Sequence, residues 1–321
     1  MRPALLLQSI LALAALPAAG EPVLSLPIDC TLGETCHIQN YVDRDPGSGY
    51  RDHTCGPLSY DGHKGTDISL LSLRDMKAGV NVLASADGVV RGVRDEMPDQ
   101  YFTRATAASV EGKECGNGVV IAHDGGWETQ YCHMKLGSIQ VEQGQTVTRG
   151  TVLGEVGLSG RTQFPHIHLS VRYEGQVVDP FATGDVTQCG EGGDILWQEP
   201  IDYVPGSLIS AGFAPRVPEF AEVQAGETSY ASLPSDSPGL VLFGYVFGGR
   251  KGDILRIEIN GPEGNFAEHD AVLEKDQARL FRAFGRKLKS ESWPLGDYRG
   301  RVSLIRDGQP ISRIETETTI Y

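Results

Sequence analysis

Short segments in which apolar and polar residues alternate recur along this chain, with glycine-containing turns between them. NVLASADGVVRGV breaks at Asp87-Gly88, and GNGVVIAHDGGWETQYCHM breaks at residues 124–126, a loop of the length that joins hairpin strands. Alternation with a period of two is typical of half-buried strands, and 40 glycines and 18 prolines among 321 residues disfavour a helical bundle. The sequence therefore predicts an all-β protein.

The alternating segments form two groups, which predicts two domains. The first group occupies residues 61–185, and the second, with segments such as GLVLFGYVFGG and DILRIEING, occupies 216–321. The spacing of the second group predicts an antiparallel β-sandwich, Ig-like, of about a hundred residues. Residues 21–60 are irregular and carry three cysteines, so we expect an N-terminal arm tied by disulfides. Residues 186–215 resemble a linker.

The first 20 residues have the pattern of an export signal. They begin with a single arginine, continue with a Leu/Ala-rich core and end on Ala-Ala-Gly. No interior stretch approaches the roughly 20 apolar residues that a membrane span needs. Removing residues 1–20 removes one of 28 basic residues and none of 42 acids, which leaves 27 − 42 = −15. That charge disfavours nucleic acid and anionic lipid as partners. We expect an exported protein without a membrane span in its mature form, periplasmic or, alternatively, secreted.

The cysteines fit an oxidising compartment, because six occur in an exported chain and none forms a CxxC pair. A cysteine-based zinc site is therefore disfavoured. Six cysteines allow 15 pairings. The pairing that we expect closes one short local loop, ties one hairpin and leaves one long-range pair: Cys30–Cys36, Cys115–Cys132 and Cys55–Cys189.

The stretch FPHIHLSVR, at residues 164–172, places two histidines one residue apart in a predicted strand. Positions i and i+2 of a strand share a face, so His166 and His168 should project together. Two imidazoles crowded on one face would repel each other if both were charged, whereas a metal site uses such a pair. The spacing therefore indicates a metal site whose other ligands lie elsewhere in the domain.

A histidine and an aspartate four residues apart, His63 and Asp67, lie upstream in DGHKGTDISL. In an extended segment they would share a face, and the nearby glycines leave room for close approach of the backbone to a metal or substrate. Catalytic zinc takes three protein ligands and keeps one position for water, so His63, Asp67 and one of His166 or His168 would form such a set. A fourth histidine, His133, ends a predicted strand in QYCHMKLGS.

Three other histidines, His53, His123 and His269, stand singly. A lone histidine near a strand end is more often exposed or hydrogen-bonded than a metal ligand. Since His269 is the one histidine within residues 216–321, no metal site is expected in the sandwich.

These pieces together resemble the lysostaphin-type, or LytM-type, zinc metallopeptidases, which cut peptide cross-bridges of bacterial cell walls. The resemblance covers about residues 58–182. It rests on GHKGTD at 62–67, YCHM at 131–134 and SGRTQFPHIHLSVR at 159–172, followed by EGQVVDP, in the order of the family. Departures are small: methionine replaces the more usual leucine in YCHM, and the polar loop of residues 94–116, before the hairpin, looks longer than in a minimal member. The resemblance implies a duplicated hybrid motif-like β-sheet domain.

The resemblance also implies the roles of five residues. His63, Asp67 and His168 would bind one Zn²⁺ per chain, and His133 and His166 would form the catalytic pair. Zinc held in this way would act as a Lewis acid on the scissile carbonyl and lower the pKa of water. Degenerate members of the family have lost ligands, and this chain keeps all five positions, which favours an active enzyme.

The expected function is therefore that of a zinc-dependent endopeptidase that binds the peptide stems of peptidoglycan and hydrolyses their cross-links. A direct D-alanyl-diaminopimelate cross-link fits a periplasmic protein better than a glycine bridge does. The alternative is a non-catalytic, peptidoglycan-binding regulator of other wall hydrolases. A lipoyl- or biotin-type carrier is disfavoured, because the turn LSGRT lacks the required lysine. The C-terminal domain could serve as a spacer, as a targeting module or as the surface for a protein partner.

Overall fold

The computed structural model describes residues 20–190 and 194–321, so the predicted export signal, apart from its last residue, lies outside the described residues. The described chain is almost entirely β, with short helices at α1 (Leu73–Ala78), α2 (Ala107–Val110) and α3 (Phe220–Ala225). None of the helices in these ranges is long and apolar enough to cross a membrane. The predicted all-β class is confirmed.

The first domain contains ten strands and one 3₁₀ turn, Asp124–Gly126, which joins the predicted hairpin. The strands are β1 (Cys36–Asn40), β2 (Thr66–Leu70), β3 (Asn81–Leu83), β4 (Gly88–Arg94), β5 (Asn117–Ala122), β6 (Trp127–Met134), β7 (Thr146–Val147), β8 (Val152–Glu155), β9 (His166–Tyr173) and β10 (Gln176–Val178). Eight of them form one antiparallel sheet in the order β1-β2-β9-β6-β5-β4-β7, with β10 paired to β9. The remaining two, β3 and β8, form a separate pair.

The main sheet buries one face in an apolar core, as strands with a period of two require. Ile68 of β2, Ile167 and Leu169 of β9, and Tyr131 of β6 have no solvent exposure. Along β9 these apolar residues alternate with His166 and His168, which therefore lie on the opposite face.

The arm is part of this sheet. Its strand β1 forms one edge of the sheet, paired with β2. Further along the arm, Arg44 is fully buried and donates from Nη1 to Asp179 Oδ2 at 3.1 Å and to the carbonyl of Ala182 at 2.8 Å. These contacts fix the arm to the end of the first domain, and a disulfide between Cys55 and Cys189 adds a covalent tie.

All three expected disulfides are present in the structure. Cys30–Cys36 closes a loop within the arm, Cys115–Cys132 joins the start of the hairpin to β6, and Cys55–Cys189 spans 134 residues. The pairing predicted from loop length and hairpin position is confirmed.

The C-terminal domain is a sandwich of two sheets around its own core. Its strands are β11 (Ser207–Ala214), β12 (Ser232–Leu233), β13 (Gly239–Gly249), β14 (Ile254–Gly261), β15 (Gly264–Val272), β16 (Gln277–Lys287), β17 (Gly296–Arg306) and β18 (Gln309–Ile320). One sheet has the order β11-β13-β16 and the other β12-β18-β17-β14-β15. Every pairing is antiparallel except that of β12 with β18.

The sequence predicts a linker over 186–215, and the end of that segment is instead β11, the first strand of the sandwich. The alternation of β11 is hard to read because its pairing shifts register between Leu208 and Ser210. An irregularity of this kind interrupts the period of two on which the prediction depends.

The three-stranded sheet is covered on both faces. All eleven residues of β13 are buried. Leu240, Leu242 and Val246 belong to the sandwich core, whereas Tyr245 and Phe247 join the core of the first domain. The two domains therefore pack directly against each other, and β13 is apolar throughout because both of its faces are buried.

Candidate metal centre

The pairing of β2 with β9 positions the centre of the site. Asp67 lies directly opposite His168, and Ser69 lies opposite His166. Because paired residues share a face of the sheet, the carboxylate and both imidazoles project to the same side. His168 Nδ1 lies 2.7 Å from Asp67 Oδ1, and His166 Nε2 lies 3.3 Å from the same oxygen.

His63 reaches this cluster from the turn before β2. Gly62 has a φ of +73°, a left-handed conformation that glycine adopts without strain, and its N–H donates to Asp43 Oδ2 at 2.9 Å. His63 Nε2 then lies 3.1 Å from both Asp67 Oδ1 and His168 Nδ1. His63 itself precedes the strand, so the turn, rather than extended spacing alone, brings it onto the shared face.

Three atoms, one each from His63, Asp67 and His168, therefore converge at 2.7–3.1 Å from one another. Ligands of a tetrahedral zinc ion with bonds of about 2.0–2.1 Å lie about 3.3 Å apart, close to this arrangement. Two neutral imidazoles and one carboxylate are also a donor set that zinc takes in catalytic sites. The residues present fit a zinc ion.

The far nitrogen of each of these two imidazoles has a hydrogen-bond partner, which fixes its tautomer. His63 Nδ1 donates to the carbonyl of Tyr41 at 2.7 Å. His168 Nε2 lies 3.0 Å from Ser170 Oγ, whose own hydrogen goes to the carbonyl of Lys64 at 2.8 Å, so His168 is the donor. The nitrogens that face Asp67 are therefore free of hydrogen, as metal ligands must be.

Asn40 also contacts the candidate site, and the sequence did not reveal this. Its Nδ2 donates to Asp67 Oδ2 at 2.9 Å, which leaves Oδ1 to face the imidazoles. Asn40 ends β1, in the arm that the sequence predicts to be irregular, and is paired with Asp67 across the sheet. No local signal could have found it, since its role depends on a strand pairing 27 residues apart.

His133 enters the site through a β-bulge. On β6, Tyr131 pairs with Val119 and Met134 with Asn117, so two residues of β6 oppose the single Gly118. His133 has a φ of +64° at this point. The bulge turns its ring onto the face of the other imidazoles, 4.6 Å from the ring of His166 between centroids, and bulges are known to redirect side chains in this way.

His133 and His166 are oriented by backbone carbonyls in the same manner as the other imidazoles. His133 Nδ1 donates to the carbonyl of Ser159 at 2.8 Å, and His166 Nδ1 donates to the carbonyl of Phe164 at 2.9 Å. Thr162 Oγ1, which donates to the same Phe164 carbonyl, lies 3.1 Å from His166 Nδ1. Both Nε2 atoms are left without hydrogen and can accept a proton.

Burial and the carboxylate of Asp67 act in opposite directions on the pKa values of the cluster. Burial lowers the pKa of His133 well below its usual value, and neighbouring His166 and His168 lower it further. Burial also lowers the pKa of His168, although Asp67 opposes the shift. Burial alone would raise the pKa of Asp67, but His63 and His166 hold it well below its usual value. Burial alone would lower the pKa of His63, but the carboxylate of Asp67 raises it overall. A divalent cation bound here would therefore displace a proton that Asp67 favours on His63, because a metal ligand must be deprotonated.

The site is bordered by the predicted long loop of residues 94–116, which contains α2. Its Phe102 N–H donates to the carbonyl of Thr162 at 2.8 Å, and Arg161 lies over the ring of Phe102 at 5.4 Å. On the other side Tyr60, 50% exposed, lies with its ring 4.4 Å from that of His63. These residues border the five-residue cluster on two sides.

The three histidines that were assigned no function lie outside the cluster. His53 packs among Tyr41, Phe181 and Tyr203. His123 bonds to the carbonyl of Asp87 and to Thr129, and His269 is exposed on β15. Within the described ranges, the one group of three or more possible ligands able to hold a metal is His63, Asp67 and His168.

Comparison with known proteins finds similarity within the first domain. Residues 61–180 match peptidase family M23. The chain is 33% identical over 117 residues to the peptidoglycan DD-endopeptidase ShyA of Vibrio cholerae, covering 36% of this chain and 22% of the relative. It is 35% identical over 116 residues to the DD-carboxypeptidase/endopeptidase Mpg of Neisseria meningitidis, covering 34% of this chain and 22% of that relative.

Among solved structures, a zinc-containing peptidase from Vibrio cholerae has a TM-score of 0.35 and 24% identity, covering 55% of this chain and 41% of that one. The chain spans only about a fifth of the length of the curated relatives just described. The resemblance that the motifs carry is thus confirmed over residues 61–180.

Proposed function

Because residues 61–180 form a domain of peptidase family M23, we propose that this protein is a zinc-dependent endopeptidase that hydrolyses peptide cross-links of bacterial peptidoglycan. The observation that carries the proposal is the convergence of one atom each from His63, Asp67 and His168 within 3.1 Å, with the outer nitrogens of both imidazoles already hydrogen-bonded. The names of the relatives from Vibrio and Neisseria support the substrate class.

In this proposal His63 Nε2, Asp67 Oδ1 and His168 Nδ1 hold the zinc. Zinc with three protein ligands supplies a Lewis acid for the scissile carbonyl and makes water acidic enough to attack it near neutral pH. Asn40 holds the carboxylate of Asp67 in its ligating orientation from the rear.

His133 and His166 are proposed as the catalytic pair. Each presents an Nε2 without hydrogen to the site, because its Nδ1–H donates to a carbonyl. One imidazole can accept the proton of the attacking water, and an imidazole that has gained a proton can donate to the oxygen of the tetrahedral intermediate or to the leaving amine. The depressed pKa of His133 favours its return to the neutral form between turnovers.

The substrate proposed is the peptide stem of peptidoglycan, with a direct D-alanyl-diaminopimelate cross-link as the bond cleaved. The formal charge, −14 for the full sequence and 27 − 42 = −15 without residues 1–20, gives no long-range attraction to an anionic polymer. The stem must therefore be held by contacts near the site, such as Tyr60 and Arg161. Export to the periplasm belongs to the same proposal and is supported by three disulfides. A protein partner on the C-terminal sandwich stays a prediction.

The roles of the imidazoles can be separated by alanine variants. His133→Ala and His166→Ala should retain zinc and lose turnover by at least about a hundredfold, because general acid–base groups contribute about 10²–10⁴ in rate. His63→Ala should lose the metal, since it removes one of three ligands. His123→Ala is the matched control, because it removes a histidine of the same domain that lies outside the site.

The measurement is zinc content by elemental analysis, beside mass spectrometry of fragments released from purified sacculi. Wild-type protein and His123→Ala should release uncross-linked stems, and a chelator should stop the release. Zinc-free His166→Ala protein would refute the division into ligands and catalytic pair. Zinc-loaded wild-type protein that leaves the cross-links intact would instead favour a wall-binding regulator.

A further inference from the structure

One cationic side chain of the C-terminal sandwich reaches into the first domain beside the candidate metal centre. Arg279 lies on β16, in the three-stranded sheet that packs against the first domain. The central carbon of its guanidinium group lies 3.9 Å from the ring centroid of Phe164, a cation–π contact. Phe164 is two residues before His166.

Phe164 holds His166 in two ways. The two rings stack with centroids 4.3 Å apart at 27°. In addition, the carbonyl of Phe164 accepts the Nδ1–H of His166 at 2.9 Å, which sets the tautomer of that imidazole. A displacement of Phe164 would therefore alter both the position of the His166 ring and the nitrogen that faces the site.

The guanidinium also binds the strand that lies opposite His166. Arg279 Nη2 donates to Ser69 Oγ, and Ser69 is paired with His166 across β2 and β9. Arg279 Nε donates to Gln39 Oε1 at 2.7 Å, and Nη1 donates to the hydroxyl of Tyr245 at 3.2 Å. One planar group thus joins β1, β2 and β13 while it contacts Phe164, an arrangement that the fork geometry of arginine permits and that of lysine does not.

We infer that Arg279 is a positioning residue for His166, so that the C-terminal sandwich is a structural part of the active centre and not only a spacer or targeting module. The inference rests on the proposed function, since His166 is there a catalytic residue. Arg279 contacts Phe164, Gln39, Tyr245 and Ser69, none of which is a proposed metal ligand. It acts through the ring of Phe164, and its hydrogen bond to Ser69 holds the guanidinium in place.

Arg279→Met tests this by removing the guanidinium while keeping an unbranched side chain. Arg282→Met is the matched control, because Arg282 lies on the same strand and, among the residues that the structure describes, donates to Phe281 and Gln277 of that strand. We expect Arg279→Met to keep its zinc and to lose about 10- to 100-fold in kcat with little change in KM, the range seen when an outer partner of an active-site group is removed. Arg282→Met should match wild type.

A double-variant cycle identifies the route of the effect. If Arg279 acts through the ring of Phe164, Phe164→Leu combined with Arg279→Met should be no slower than Phe164→Leu alone. Fully additive losses in kcat would overturn the inference. Arg279→Lys replaces the methionine variant if that variant fails to fold. It keeps a cation over Phe164 but loses the forked guanidinium, so its loss in kcat should be smaller than that expected for Arg279→Met.

A second readout does not depend on turnover. Diethyl pyrocarbonate acylates neutral imidazoles, and tandem mass spectrometry can follow His166 by itself. His166 should react faster in Arg279→Met than in wild type or Arg282→Met, because its ring is no longer fixed. An unchanged kcat and labelling rate, or an activity loss that only parallels loss of zinc or of folded protein, would contradict the inference. If wild-type protein does not cleave sacculi, the proposed function is contradicted. The labelling rate of His166 still tests whether Arg279 positions that ring.

Discussion

At the scale of single residues, strand geometry and strand pairing bring side chains from distant segments to one face of the first domain. His166 and His168 share a face because a strand repeats every two residues. Asn40 reaches the site because β1 pairs with β2, and His133 reaches it because a bulge with a positive φ redirects its side chain. Neither the strand pairing of Asn40 nor the bulge at His133 can be derived from composition or periodicity.

Gly65 is the residue whose absence of a side chain matters most to the site. A Cβ at this position would lie 2.5 Å from the carbonyl oxygen of Leu169 and 2.6 Å from His168 Nε2. Gly65→Ala must therefore push His168 away from Asp67, and we expect the affinity for zinc to fall by about 10- to 100-fold. Competition with a chelator of known affinity measures this. Gly92→Ala is the control, because its Cβ would meet nothing within 4 Å; equal zinc affinities in both variants would show that the close approach is unimportant.

At the scale of elements, strands with one buried face were predicted well and strands with irregular pairing were not. The hairpin that turns at Asp124–Gly126 and the long strands of the sandwich follow the expected alternation. Both β1 and β11 contain a register shift, and both lie between the two domains. In such strands polar residues can be buried and the period of two is broken, so CHIQN reads as an irregular arm and SLISAGFA as a linker.

At the scale of the whole molecule, the packing of the sandwich against the first domain could not be read from the sequence. GLVLFGYVFGG predicts a strand, and its continuous burial fits a strand covered on both faces. The segment does not indicate which part of the chain covers its second face. The surface that covers this face of β13 includes β1, whose His37 stacks on Phe247 with ring centroids 4.3 Å apart. Interdomain contacts of this kind depend on shape, which local patterns do not contain.

His37 makes this packing sensitive to pH. Burial and, to a smaller extent, the nearby Arg279 together lower the pKa of His37 to about 3. The folded protein therefore keeps His37 neutral where the unfolded chain, with a pKa near 6.5, becomes protonated. The stability that this contributes is complete above about pH 6.5 and is lost as the pH falls from there toward 3.

The expected loss is about 1.4 kcal/mol of unfolding free energy per pH unit within that window, the value for one proton. His37→Gln removes the titrating group. Between pH 6 and 5 the unfolding free energy of the variant should therefore fall by about 1.4 kcal/mol less than that of the wild-type protein. Urea unfolding of both proteins at these pH values measures the difference in slope. Parallel slopes would mean that His37 is protonated in the folded protein.

We propose that one zinc ion binds between β2 and β9 in the first domain. Anomalous diffraction from a crystal of the zinc-loaded protein, collected on both sides of the zinc absorption edge, tests it most directly. We expect a single strong peak about 2.0–2.1 Å from His63 Nε2 and His168 Nδ1, with Asp67 Oδ1 at a similar distance. A peak at another set of side chains, or no peak at these three atoms, would contradict it.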